Sequence, residues 1–234
     1  MKKKLYLLLV FIFLICVITG CGKKEESSSG TNTSSGTNTS EGSNETIKEY
    51  TSKELGKNIT SSGAMTSSGT LVVFANNNNN VPVDMDIEVE FYDKMGMIVG
   101  SSSKDLIGVG ANSEIAVEMY STPDSFDNYK IYVDVEQCDE FSYIDQVELI
   151  HNNNGEEIVV QVKNNSEDLI EFITVAVVYY KNDKVVGISE SITSDVKSGR
   201  SANFTLDYPY DSQYNTLRFD TYKVFVTGAY TYDW

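Results

Sequence analysis

From Gly69 onward the chain carries one pattern of blocks twice, which limits its folded part to something that a segment as long as the repeat can form. Val89-Glu90-Phe91-Tyr92-Asp93 and Val177-Val178-Tyr179-Tyr180-Lys181 match at a spacing of 88. An aliphatic pair and a glycine follow each, Ile98-Val99-Gly100 and Val185-Val186-Gly187. Upstream, Val72-Val73 and Asn77-Asn78 match Val159-Val160 and Asn164-Asn165 at a spacing of 87. Downstream, Phe126 to Val133 matches Phe219 to Val226 at 93, so the second copy has extra residues around Tyr208 to Asn215. Three matched blocks in one order predict two homologous domains, residues 69–138 and 139–234.

Inside each copy the period is two. Met85, Ile87, Val89 and Phe91 alternate with Asp84, Asp86, Glu88 and Glu90, as in a strand with one buried and one wet face. Other runs are rich in β-branched and aromatic residues and are separated by turn signals such as Asn152-Asn153-Asn154-Gly155, Asn182-Asp183 and Ser198-Gly199. No stretch after residue 69 keeps a helical period. The expectation is all-β, with a β-sandwich in each repeat.

Residues 22–68 contrast sharply, with six hydrophobic residues among 47 and a near-repeat of Ser, Gly, Thr and Asn. Such a composition buries too little apolar surface to offset ordering entropy, so residues 21–68 read as a flexible tether that begins at Cys21. A disordered chain of that length spans about 35 to 40 Å. Thr46-Ile47-Lys48-Glu49 fits a capping box and predicts a short helix near residues 47–55. Before the tether, Lys2, Lys3 and Lys4 precede fourteen apolar residues, Leu5 to Ile18. That run is short for a membrane span, which needs about 20 residues, and suits a signal peptide over residues 1–20.

Two family resemblances then become visible. Ile18-Thr19-Gly20-Cys21 resembles the lipobox of bacterial lipoproteins. The resemblance implies diacylglyceryl attachment at Cys21, cleavage after Gly20 and an extracytoplasmic, membrane-anchored protein; two or three acyl chains give durable attachment. The strand ending in Asn-Asn, the alternating strand closing on Val-x-Phe-Tyr-Asp and the following aliphatic pair with glycine resemble FxLYD-type domains. That resemblance implies an immunoglobulin-like sandwich and no catalytic residues. The first copy departs from the family pattern by Val89 and Phe91, the second by Lys181.

Charge narrows the function. With 18 bases against 34 acids the net charge is −16, which excludes phosphate recognition on a basic surface, so no nucleic-acid partner is expected. One histidine leaves no site that needs two imidazoles, and with Cys21 acylated, Cys138 has no disulfide partner. Acidic neighbours raise the Cys138 thiol pKa, so an inert thiol is expected there rather than a nucleophile paired with His151. Neither a catalytic residue nor a cofactor is assigned. An acid–base pair for glycoside cleavage would need two opposed carboxylates about 5 to 9 Å apart in a cleft, one with a raised pKa.

Four features remain as candidate surfaces. The acidic ladder Asp84, Asp86, Glu88 and Glu90 is either a solvated face that discourages edge pairing or a cation site. On the same face of the second copy stand Phe172, Thr174, Ala176 and Val178, apolar where the twin is acidic. This face packs either on the first domain or on an outside partner, and Phe172, Thr174, Ala176 and Val178 are the candidate partner face. Tyr208, Tyr210, Tyr214, Tyr230, Tyr232 and Trp234 belong to the second copy alone, as an end cap or a glycan platform. The expected function is a non-enzymatic cell-envelope lipoprotein presenting a binding or assembly module toward an envelope protein or wall glycan. The alternative is an accessory ligand or glycan receptor serving a membrane complex, which would require a pocket.

Overall fold

The computed structural model describes residues 49–232. The expected signal peptide over residues 1–20, Cys21, most of the expected tether and Trp234 lie outside the described residues. A five-residue helix, α1 (Ser52–Gly56), opens the described part. It is followed by β1 (Ile59–Met65), β2 (Leu71–Asn77), β3 (Val83–Tyr92), β4 (Ile98–Val109), β5 (Ser113–Met119) and β6 (Asn128–Gln137). The second copy continues with β7 (Phe141–Ser142), a 3₁₀ turn at Ile144–Gln146, β8 (Val147–Asn153), β9 (Glu157–Asn164) and β10 (Ile170–Lys181). It closes with β11 (Lys184–Val196), β12 (Ser201–Asp207) and β13 (Thr221–Thr231).

The chain is all-β apart from these short helical turns, and its topology repeats. Sheet order β1-β2-β5 over β4-β3-β6 in the first copy recurs as β8-β9-β12 over β11-β10-β13, with β7 added at the β13 edge. Each pair of three-stranded layers makes a sandwich around its own core. In the first, Val83, Met85, Ile87, Val89 and Phe91 of β3 all face inward and the intervening acids face out, as the alternation predicts. In the second, Ile173, Val175, Val177 and Tyr179 of β10 hold the equivalent places.

The tether expectation changes between residues 51 and 65, where α1 and β1 form part of the first sandwich. The helix begins later than expected: Thr51, not Thr46, caps it, with Glu54 returning the bond to the Thr51 N–H. Leu55 is the reason this polar segment folds, because its buried side chain joins the first core; full burial of a leucine contributes about 1.5–3 kcal/mol. β1 has few apolar residues because it is an edge strand, paired along its length with β2 and otherwise open. Its ladder hydrogen bonds go to β2, and composition does not reveal such pairing.

Three structural details recur in both copies. Asn77 and Asn164 end β2 and β9 as buried side chains bonded to backbone. Gly100 and Gly187 each lie under a proline, Pro123 and Pro209, leaving no room for a Cβ. Phe91 meets Phe126 edge-on at 4.9 Å, and Tyr179 meets Phe219 at the same separation.

Candidate functional site at the seam between the sandwiches

The two sandwiches are fused side by side. Outward-facing Val72 and Ala116 of the first pack against Ala176, Val178 and Phe225 of the second in a small third core, with Phe74 tilted against Phe225 at 6.2 Å. Ion pairs flank this core. Lys223 meets Glu114 at one side, and Lys104 meets Glu190 at 2.8 Å at the other.

Glu190 is the hub. Its side chain is only 10% exposed, and one oxygen accepts the backbone N–H of Glu118 at 2.8 Å. The other oxygen accepts Lys104 Nζ at 2.8 Å and the Tyr120 hydroxyl at 3.0 Å. Lys104 Nζ also lies 5.0 Å from the centre of the Tyr120 ring, so carboxylate and aromatic face hold one ammonium together. Glu118 stands beside this group on the outer face of β5. Burial first and the Glu190 charge second push its carboxyl up to about 6, with Lys104 opposing. Tyr120 is pushed up by burial and by the same carboxylate.

Above Glu118 and Glu190 the seam opens into a cleft of about 440 Å³. One wall is the Thr66-to-Thr70 turn of the first sandwich, and the floor is β11 from Gly187 to Glu190. The other wall comes from the second copy's extra residues, where Tyr210 and Tyr214 stack at 5.7 Å and 29°. Asp211 builds this loop by accepting the backbone N–H groups of Gln213 and Asn215, which hold its carboxyl below the usual range. Tyr214 has φ 63° and is 84% exposed. A bulky residue in the left-handed region costs on the order of 1 kcal/mol, so the loop presents this ring at the expense of backbone strain.

The expected partner face is divided by the seam. Ala176 and Val178 are fully buried, and what covers them is the first sandwich. An external partner at these two positions is therefore excluded by a contact within the chain. Thr174 lines a second groove along the seam, of about 400 Å³, and Phe172 stacks on Tyr230 at 5.3 Å and meets Tyr232 edge-on. The exposed aromatics separate likewise. Tyr208 packs on Phe219, Tyr230 and Tyr232 belong with Phe172, and Tyr210 and Tyr214 face the cleft.

The acidic ladder lies on the outer face of β3. Asp86 sits opposite Asp105 and Asp134, and Asp84 opposite Glu136, while Glu90 sits across from Lys130 and Glu88 from Tyr132. Like charges opposed on a sheet destabilise it. Asp84, Cys138 and Glu140 place ligand-type atoms within 4.8 Å of one another. Burial raises both Asp84 and Cys138, favouring the protonated forms that bind cations poorly, and Asp84 already accepts the Gly108 N–H at 2.8 Å. His151 lies on β8, its Nδ1 3.1 Å from the Tyr222 hydroxyl, while the Cys138 thiol is bonded to Glu140.

Sequence reasoning did not find Glu118, Glu190, Lys104 and Tyr120 as a group, because they come from β4, β5 and the turn after it, and β11, and Glu190 joins the others only when the sandwiches dock. The available signal was the second copy's surplus around Tyr208 to Asn215, which a simple duplication does not need. Compared with models of known protein families and with curated proteins, the chain matches none. Among the described residues no helix is long and apolar enough to cross a membrane.

Proposed function

We propose that this chain is a non-enzymatic cell-envelope lipoprotein, anchored through Cys21, whose two fused sandwiches act as one binding module with its ligand site in the seam cleft. The observation that carries the proposal is the cleft wall made by Tyr210 and Tyr214. The extra residues occur in only one copy, and beyond the core-packed Tyr208 they hold an exposed ring on a left-handed backbone above a cleft of ligand size. The lipobox and the low-complexity tether support an extracytoplasmic location, and the FxLYD-like pattern supports an envelope protein of the immunoglobulin-like kind.

The cleft is also lined by four carboxylates, of Glu118, Glu190, Asp207 and Asp211, and burial raises that of Glu118, which is part of what glycoside cleavage requires. Both oxygens of Glu190 are already bonded to the Glu118 N–H, Lys104 and Tyr120, and the Asp211 carboxylate to Gln213 and Asn215, so neither of these is free to attack or to activate water. This favours binding over catalysis.

The test fills the cleft. Ser189→Trp places a large ring on its floor, and Lys197→Trp places one on the exposed turn between β11 and β12, at the opposite end of β12 from Asp207. Isolated cell-wall polymer is passed over the immobilised chain from residue 22 onward. Retention lost only in Ser189→Trp, at unchanged thermal stability, is the expected result, and equal retention by both variants refutes the cleft as the site. For the anchor, incorporation of an alkynyl fatty acid is expected to disappear in Cys21→Ser.

A further inference from the structure

The lining of the seam cleft restricts the chemistry of what enters it. It contains the carboxylates of Glu118, Glu190, Asp207 and Asp211 and no Lys or Arg. An anionic ligand would meet uncompensated like charge. Lys104 comes from beneath and already belongs to Glu190 and Tyr120, and the Asp211 carboxylate is bonded within its own loop. Glu118 and Asp207 differ: among the described residues no hydrogen bond reaches the side-chain oxygens of either, and of the two Asp207 is exposed while Glu118 is half-buried at the cleft. A partly desolvated carboxylate beside a second one is stabilised by an ammonium donor. The Lys104 site next door shows the arrangement already filled, one ammonium held by a carboxylate and a tyrosine face.

The remaining lining suits a sugar ring. Thr66, Ser68, Thr70, Ser189, Thr205 and Ser212 supply hydroxyl groups. Thr66 and Ser68 hydroxyls are 2.9 Å apart, forming a small donor–acceptor row. Opposite them the Tyr214 ring offers a flat apolar face. Hydroxyls on one wall and an exposed aromatic on the other match the polar rim and apolar face of a pyranose.

We infer that the seam cleft binds a saccharide bearing a free amine, with Glu118 receiving the ammonium group and Tyr214 stacking on the ring. The inference rests on the cleft being the ligand site. A wall polymer carries such amines either on de-N-acetylated amino sugars or on aminoacyl esters, and both present the same cation to Glu118.

Titration calorimetry on the chain from residue 22 onward separates these possibilities with four probes: a glucosamine tetrasaccharide, its N-acetylated form, an uncharged glucose tetrasaccharide and trilysine. Glucosamine tetrasaccharide is expected to bind at least tenfold more tightly than the N-acetylated form. Glu118→Gln is expected to remove that preference while leaving the N-acetylated form unchanged, and Tyr214→Ala to weaken both saccharides. Stronger binding of trilysine than of any saccharide, lost in Glu118→Gln, places the amine on an aminoacyl group and overturns the ring assignment. Equal binding of the glucosamine, N-acetylated and glucose forms, insensitive to Glu118→Gln, overturns the amine but leaves the cleft as the site. If no probe binds and none shifts the NMR signals of Tyr210 and Tyr214, both the inference and the cleft reading fall.

Discussion

Asn77 and Asn164, 87 residues apart in the chain, occupy the same corner of the two sandwiches and bond the same backbone groups. Asn77 Nδ2 donates to the carbonyls of Val81, Val109 and Gly110, and Asn164 Nδ2 to those of Asp168 and Val196. Their Oδ1 atoms accept from Asn79 N and Ser166 N. Each side chain thus satisfies the backbone where a strand ends and the chain crosses to the opposite sheet. Truncation leaves several buried groups unpaired at about 1–3 kcal/mol each. Asn77→Ala and Asn164→Ala are each expected to lower stability by about 3 kcal/mol in urea titration, far more than Lys197→Ala on an exposed turn.

Gly100 and Gly187 are expected to reject alanine because of Pro123 and Pro209. Over-packing of this kind costs about 1–3 kcal/mol. The nearest proline atom at Gly100 is Pro123 Cγ, which alanine lacks, so Gly100→Ala combined with Pro123→Ala is expected to recover much of the loss, a coupling that a double-mutant cycle in thermal unfolding reads directly.

Val178 reports on the seam. Placing a carboxylate at this fully buried position strands a charge between the sandwiches, and Val178→Asp is expected to cost about 4 kcal/mol or to separate the two modules. Hydrogen exchange at the Glu118 amide, whose acceptor is Glu190, distinguishes the outcomes: it accelerates by orders of magnitude if the seam opens.

Glu118 adds a pH dependence. Its folded pKa, about 6, lies above the unfolded value, so the folded state holds the proton more tightly. The associated stability is therefore complete below about pH 4.5 and is lost as pH rises through about 6. After solvent screening of a partly exposed group the loss is about 1 kcal/mol. Glu118→Gln is expected to flatten the stability profile between pH 5 and 7 and to make the chain more stable than the parent at pH 8.

Tyr214 offers a trade between stability and binding. Tyr214→Gly relieves the left-handed backbone and is expected to leave melting unchanged or raise stability by about 0.5–1 kcal/mol. It removes the ring that faces the cleft, and retention of wall polymer is expected to fall in the same variant.

The duplication, the period of two and the hydrophobic face of each strand were legible in the sequence, because burial in a two-layer sandwich imposes alternation residue by residue. Phe91 and Tyr179, or Gly100 and Gly187, align by inspection and prove equivalent in space. The place of β1 was hidden, since an edge strand is held by backbone hydrogen bonds that leave little trace in side-chain composition. The apolar character of Ala176 and Val178 was visible, and so was the choice between an outside partner and the neighbouring domain. Only docking decided that choice, because it depends on whether the Val72 and Ala116 face of the other sandwich fits. The cleft was decided at the same level: Glu118, Glu190 and Tyr214 lie on separate strands and a loop, and a carboxylate acquires its unusual chemistry only from the burial and charges that the assembled fold places around it.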